Sequence, residues 1–469
     1  MISFLLSVVI LILGYIFYGK LVEKIFGADD NRKTPAIAME DGVDYVPLDW
    51  KRAFLVQFLN IAGLGPIFGA IAGALWGPAA FLWIVLGSIF AGAVHDYFAG
   101  MLSLRHKGET VAEIVGRYLG VSAKMVMRVF SVILLILVGV VFVNGPAGLL
   151  ADITGINQYT WVGIIIVYYI LATVLPVDKI IGKIYPIFGA ALLIMGVGII
   201  VGIFAKGYTI PEIQLQNLHP SGKAIFPFLF ITIACGAISG FHATQSPIMA
   251  RCIRSEKEGR KVFYGAMIAE GIIALIWAAA SMAFFGSTEA LAEAGAAAVV
   301  VNKISVSLLG VAGGILAILG VVACPITSGD TAFRSARLAI ADAIGLKQDK
   351  IKNRFLISIP LFVIGIALCF IDFAIIWRYF AWANQTLAMI MLWAAAQYLV
   401  KHRKFHWICT IPATFMTAVT ITYIMIAEEG FRLSSSIGYP IGIGAAVIAI
   451  IFFLYKARKT SQKDVAVEA

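Results

Sequence analysis

Side chains able to carry chemistry are scarce in this chain, and several stand inside apolar runs. Thr327, Ser328 and Asp330 crowd oxygens together in Ala323-Cys324-Pro325-Ile326-Thr327-Ser328-Gly329-Asp330-Thr331. Such oxygens suit a hard cation such as Na+, and an aspartate can instead carry a proton. The competing reading is an N-cap, with Ser328 or Asp330 starting an amphipathic helix from Ala332 to Ile344. His95 and Asp96 lie side by side near one end of the run Ala79–Leu104, as a proton-handling pair or as a pair snorkelling to the interface. Glu270 stands about two turns into its helix with no sequence neighbour to pair with, which turns it toward a helix bundle. His242 titrates near neutral pH and is a candidate proton carrier, or a core histidine bonded to a backbone carbonyl. Gln57, Asn60, Asn384 and Gln385 are amides of the kind that join membrane helices. No Ser/His/Asp order, metal-ligand spacing or phosphate loop supports an enzyme.

The elements that must position these groups are membrane helices. Of 469 residues 61% are hydrophobic and 13% charged, against about 25% charged in soluble domains. Apolar runs of spanning length predict about thirteen helices. They are Ile2–Gly19, Phe54–Trp76, Ala79–Leu104, Met125–Asn144, Trp161–Leu175, Tyr185–Ala205, Ile225–Ala250, Val262–Phe285, an interrupted Ile304–Ile344, Phe355–Phe370, Ala374–Val400, Phe405–Ala427 and Ile437–Tyr455. The first lacks a basic leader and a small-residue cleavage site, so it reads as a retained helix. Five scattered cysteines form no CxxC pair, so neither disulfides nor zinc are expected. The net charge of +10 reads as loop charge rather than as a nucleic-acid surface. Basic clusters at Arg105–Arg128, Arg251–Lys261, Arg334–Arg354, Lys401–Lys404 and Lys456–Lys463 all fall on one side when crossings are counted. That side is then cytoplasmic, with the C-terminus and the linker Gly27–Trp50 inside and the N-terminus outside.

Two spans carry breaks. Ala62-Gly63-Leu64-Gly65-Pro66-Ile67-Phe68-Gly69 interrupts the first, and Ala234-Cys235-Gly236-Ala237-Ile238-Ser239-Gly240-Phe241-His242 interrupts the second. Glycine and proline oppose continuous helix, and a break in lipid strands backbone groups unless protein or a wet cavity receives them. The second break falls five helices after the first. Five is odd, so the two run in opposite directions, as in an inverted-repeat transporter. The alternative is a glycine-rich packing face.

At these motifs the chain resembles the carbon starvation protein A (CstA) family. The matching stretches are Ile61-Ala62-Gly63-Leu64-Gly65-Pro66-Ile67, Gly92-Ala93-Val94-His95-Asp96-Tyr97, Ala234 through His242, and Thr327-Ser328-Gly329-Asp330-Thr331-Ala332-Phe333-Arg334. Trp377-Arg378-Tyr379-Phe380 with Asn384-Gln385 is also similar. The resemblance implies bacterial inner-membrane uptake of peptides or pyruvate, driven by a cation gradient, and a five-plus-five inverted-repeat fold of the amino acid–polyamine–organocation superfamily. Many relatives carry two histidines where this chain has Val56 and Gln57, and many are longer.

The resulting expectation is an all-α integral membrane protein with a LeuT/APC-like core of two broken helices. Residues 1–26 form an N-terminal helix, 27–50 a linker, 51–400 the ten-helix core, 401–456 two further helices and 457–469 a tail. An anionic substrate group docks on freed N–H groups of Gly63, Gly65 and Ile67, with Pro66 starting the outer half-helix; Gly236, Ser239, Gly240 and His242 line the other side. Ala62, Thr327 and Ser328 are candidate sodium ligands, and Asp330, His95, Asp96 and Glu270 are further coupling candidates. No cofactor is expected beyond Na+ or H+. The partners are a small substrate (pyruvate, peptide or amino acid) and membrane lipid, not nucleic acid. A nutrient sensor or scaffold signalling through its loops is the alternative. A channel is disfavoured, because no selectivity run such as TVGYG appears.

Overall fold

Glycine and proline punctuate the apolar runs, and the backbone follows that punctuation. The computed structural model describes the backbone of residues 1–42, 44–174, 178–348 and 350–468, and the side chains of these ranges except 174, 178–186 and 460–468. Among the described residues no strand forms. The helices used below are α1 (Ile2–Phe26), α2 (Trp50–Ile61), α3 (Gly65–Trp76), α4 (Ala79–Arg105), α5 (Val111–Leu119), α6 (Val121–Thr154), α7 (Gln158–Val174) and α8 (Asp178–Ala205). After a short helical stretch, Ile225–Leu229 and Phe230–Thr232, come α9 (Gly240–Ala250), α10 (Glu256–Phe285), α11 (Ala297–Ile344) and α12 (Ile351–Cys369). The last are α13 (Phe373–Lys401), α14 (Trp407–Ile426) and α15 (Ser435–Glu468).

Nine helices among the described residues are long and apolar enough to span a bilayer, and the bent pair α2–α3 makes ten. Large apolar side chains such as Val129, Ile164, Val197 and Val363 remain more than half exposed. Patches of that kind call for a cover, and lipid tails supply it. The chain is a multi-pass membrane protein. By contrast α4 and α10 are buried along most of their length, so they are inner helices of the bundle.

The first break is a 50° bend between α2 and α3. Asp49 caps the start of α2 by accepting from the Lys51 amide (3.0 Å). Pro66 occupies the first turn of α3, where its missing N–H is tolerated. The second break leaves 233–239 without helix before α9 starts at Gly240.

Three expectations need correction. The interruption expected at Ala323–Thr331 is absent: Cys324–Ile344 is one helix, and the kink lies earlier, at Gly310 (φ 61°). A π-helical turn, Ile318–Ala323, puts Pro325 in the first turn of the following α-helix, where it breaks nothing. Ser328 and Asp330 therefore cap no helix. The run expected to end at Asn144 continues to Thr154, since Pro146 is accommodated inside α6. The expected end at Leu175 lies outside the described residues.

Candidate functional site

The two breaks meet. A Cβ placed on Gly65 would lie 2.3 Å from the Cβ of Cys235, and one on Gly236 would lie 3.6 Å from the Pro66 Cα. Gly65, Gly69 and Gly73 recur every fourth residue along α3 and face Cys235, Thr232 and Ile233. The packing-face reading therefore holds alongside the break: small residues bring two backbones together.

At the second break, freed backbone groups find protein partners, as a low-dielectric interior requires. Gln385 Nε2 donates to the Phe230 carbonyl (2.5 Å), Trp83 Nε1 to Ile233 (3.2 Å) and Ser88 Oγ to Gly236 (3.1 Å). Asn384 Oδ1 accepts from the Phe241 amide (2.7 Å) and from Ser239 Oγ (3.1 Å), while its Nδ2 donates to Cys235 Sγ (3.3 Å). The amides Asn384 and Gln385, on α13, thus hold the break open in one conformation. Ser239 and Gly240 are accordingly turned to α13; a Cβ on Gly240 would meet the Asn384 carbonyl at 2.3 Å. At the first break, Gly63 N donates to the Ile61 carbonyl (2.9 Å) and Ile67 N to Leu64 (3.2 Å).

Next to this junction lies a run of four fully buried ionisable side chains. His95 Nδ1 is 2.8 Å from Asp96 Oδ1, Asp96 Oδ2 is 2.8 Å from His242 Nδ1, and His242 Nε2 is 3.3 Å from Glu270 Oε2. All four have zero exposure. α4 supplies the first two, α9 the third and α10 the fourth. His95 and Asp96 do not snorkel. They sit ten and nine residues before Arg105, roughly 14–15 Å along the helix axis, about half the hydrocarbon thickness. The His242 ring hydrogen-bonds the Asp96 carboxylate, not a backbone carbonyl. Glu270, without a partner in sequence, finds one in space.

The chemistry follows from counting protons. Each ring nitrogen of His242 faces a carboxyl oxygen, and a neutral imidazole has a single N–H. A proton can therefore sit on the ring or on one of the carboxyls of this cluster. The 3.3 Å approach lacks hydrogen-bond alignment, and both Glu270 oxygens, His242 Nε2 and His95 Nε2 have no hydrogen-bond partner among the described residues. Gln57 on α2, which packs against α9 and α10, buries both amide atoms unpartnered. Orphaned polar atoms at this density demand a cause, and a functional site is one. The singled-out polar residues were visible in sequence; their contact and the orphaned Gln57 were not.

The third expected wall is arranged differently. Thr327 Oγ1 and Ser328 Oγ both donate to the Cys324 carbonyl (2.7 and 3.1 Å), keeping lone pairs as acceptors. Asp330 is ion-paired with Arg334 one turn on (2.9 Å) and lies beside Thr173, Arg337 and Ser358. Cys324 Sγ reaches the Leu59 carbonyl just before the first break (3.8 Å). At the basic end, Arg105 clasps Glu256 (2.9 Å), the Gly27 carbonyl (2.7 Å) and Tyr398 OH (2.5 Å). This clasp joins α4, α10, α13 and the end of α1, and no sequence signal marks it.

The carbon starvation protein CstA family model matches residues 1–154, 146–288 and 276–423. The chain belongs to the CstA family. It is 27% identical to a protein of Campylobacter jejuni and 25% identical to one of Escherichia coli, both named peptide transporter CstA, covering 92% and 89% of this chain and 81% and 79% of those proteins. An uncharacterized membrane protein of Haemophilus influenzae is 46% identical over 63% of this chain and 94% of its own length. Among solved structures, a mutant manganese transporter of Eremococcus coleocola superposes with a TM-score of 0.52 at 14% identity, covering 90% of this chain and 97% of that one. Mhp1, a nucleobase-cation-symport-1 family transporter in a closed conformation, gives 0.51 at 14%, covering 89% and 96%. At such identity these likenesses establish the fold, which this CstA chain shares with membrane transporters.

Proposed function

We propose that this chain is a secondary active transporter that takes up short peptides, or a small carboxylate such as pyruvate, by proton symport across the bacterial inner membrane during carbon starvation. The observation that carries the reading is the fully buried His95–Asp96–His242–Glu270 run beside two adjoining helix breaks. Ionisable groups in the membrane interior are costly and belong to ion or proton pathways by default. The basic loops face the cytoplasm, with the N-terminus outside. The substrate's carboxylate docks on the Leu64 and Gly65 amides, at the positive end of α3. Gly65 touches Cys235, which Asn384 ties to the start of α9, where His242 sits. Substrate binding and the protonation of His242 thereby act on the same short segment.

The test is uptake of labelled dipeptide and pyruvate by proteoliposomes under an imposed proton or sodium gradient. Proton-driven accumulation supports the reading. Uptake driven by sodium alone moves the coupling site to Ala62, Thr327 and Ser328. Absence of uptake under every gradient refutes transport by this chain alone.

A further inference from the structure

A cavity of about 840 Å³ opens between α14 and α15 at the basic end of the bundle. Its polar lining is Arg403, Lys404, His406, Trp407, Tyr455 and Arg458, and among the described residues no acidic side chain lines it. The rest of the wall is apolar. Ile451 and Tyr455 are 60% and 56% exposed and continue the exposed face of α15 at Ile448 and Phe452. Three cations, with Trp and Tyr beside them, therefore stand where the lipid-facing band of the protein ends. That composition matches the headgroup layer of a bilayer, and basic pockets between membrane helices are suited to anionic headgroups.

We propose that this cavity binds the phosphodiester headgroup of an acidic phospholipid. Arg403, Lys404 and Arg458 face the phosphate, His406 and Trp407 at the start of α14 form its floor, and one acyl chain lies along Ile451 and Ile448. The charge selects anions, and the adjoining lipid-facing wall favours a lipid over a soluble phosphate. The size fits, since ligand pockets commonly span about 300–1,000 Å³. Lys404 also donates to the Phe26 carbonyl, and the Phe26 ring stacks on Tyr398 and lies 4.0 Å below the Arg105 guanidinium. A phosphate held at Lys404 thereby braces the Arg105–Glu256 clasp.

The full-length protein in neutral detergent is titrated with phosphatidylglycerol, with phosphatidylcholine of the same acyl chains, and with inorganic phosphate, reading melting temperature and lipid retention in native mass spectrometry. Phosphatidylglycerol is expected to raise the melting temperature saturably; the other two are not. Arg403→Asn with Arg458→Gln is expected to weaken binding at least roughly tenfold, while Lys401→Gln, a cation outside the cavity, is not. Asparagine is chosen because residue 403 has φ 53°, which asparagine tolerates. Equal stabilisation by phosphatidylcholine overturns the proposal, as does saturation of the effect by free phosphate. So does an equal loss in Lys401→Gln, which would mark diffuse surface charge. The comparison of lipids on the unmodified protein decides the matter if the double variant does not fold.

Discussion

Asp96→Asn tests the buried proton cluster at its centre. The Asp96 carboxylate serves both rings, one oxygen 2.8 Å from His95 Nδ1 and the other 2.8 Å from His242 Nδ1. Asparagine keeps the shape but has one acceptor oxygen, and its amide nitrogen confronts the other ring. One hydrogen bond to a charged group is lost, worth about 1.5–3 kcal/mol. At roughly 1.4 kcal/mol per factor of ten, the hold on a proton at His242 weakens roughly 10- to 100-fold. The assay is accumulation of labelled dipeptide by proteoliposomes under an inward proton gradient, beside counterflow at equal pH. Gradient-driven accumulation is expected to fall roughly 10- to 100-fold while counterflow persists, because substrate exchange needs no net proton movement. Unchanged accumulation would show that Asp96 holds no coupled proton. Equal loss of accumulation and counterflow would show a structural role instead.

The junction of the breaks gives a second expectation. Gly65→Ala drives a methyl into Cys235, which overpacking penalises by about 1–3 kcal/mol, and Cys235→Gly in the same chain restores the melting temperature. A single variant as stable as the parent would contradict the close approach. Asn384→Ala strips the Phe241 amide and the Ser239 hydroxyl of their acceptor, at a cost of about 1–3 kcal/mol, and is expected to lower both melting temperature and uptake; an unchanged melting temperature would count against Asn384 as the holder of the break. In the linker, hydrogen bonds from Lys257 and Ser255 hold the Asp30 carboxyl below its usual range. A carboxyl with a depressed folded pKa contributes stability above its ordinary pKa, about 3.9, and loses it as pH falls. Pepsin is therefore expected to cut the 27–50 linker of Asp30→Asn faster than that of the parent above about pH 4, with the gap closing as pH falls further. Identical profiles would refute the contact.

What could be read in sequence was what local chemistry dictates. Glycine and proline act on their own backbone, so Gly63–Gly69 and Gly236–Gly240 mark both breaks. Polar residues in apolar runs flagged His95, Asp96, His242 and Glu270 one by one. Their contact was not legible, because Asp96 and His242 are 146 residues apart and meet only when α4 and α9 pack. His95 and Asp96 suggested an interface because their run ends soon after them. The end of α4 is itself roofed by Glu256 and the Gly27 carbonyl, which places the pair deeper. Pro325 suggested a break that the preceding π-turn absorbs. At Thr327–Asp330 the oxygens are engaged within their own helix, at Cys324 and Arg334, so the spacing that suggested a cation site also serves helix packing.

The central claim is that substrate and proton cross together. It is met most directly by reporting internal pH in sodium-free proteoliposomes while dipeptide or pyruvate is added outside. Substrate-dependent acidification of the lumen, lost in Asp96→Asn, is the predicted result. Uptake that proceeds only with sodium and leaves the internal pH unmoved would contradict it.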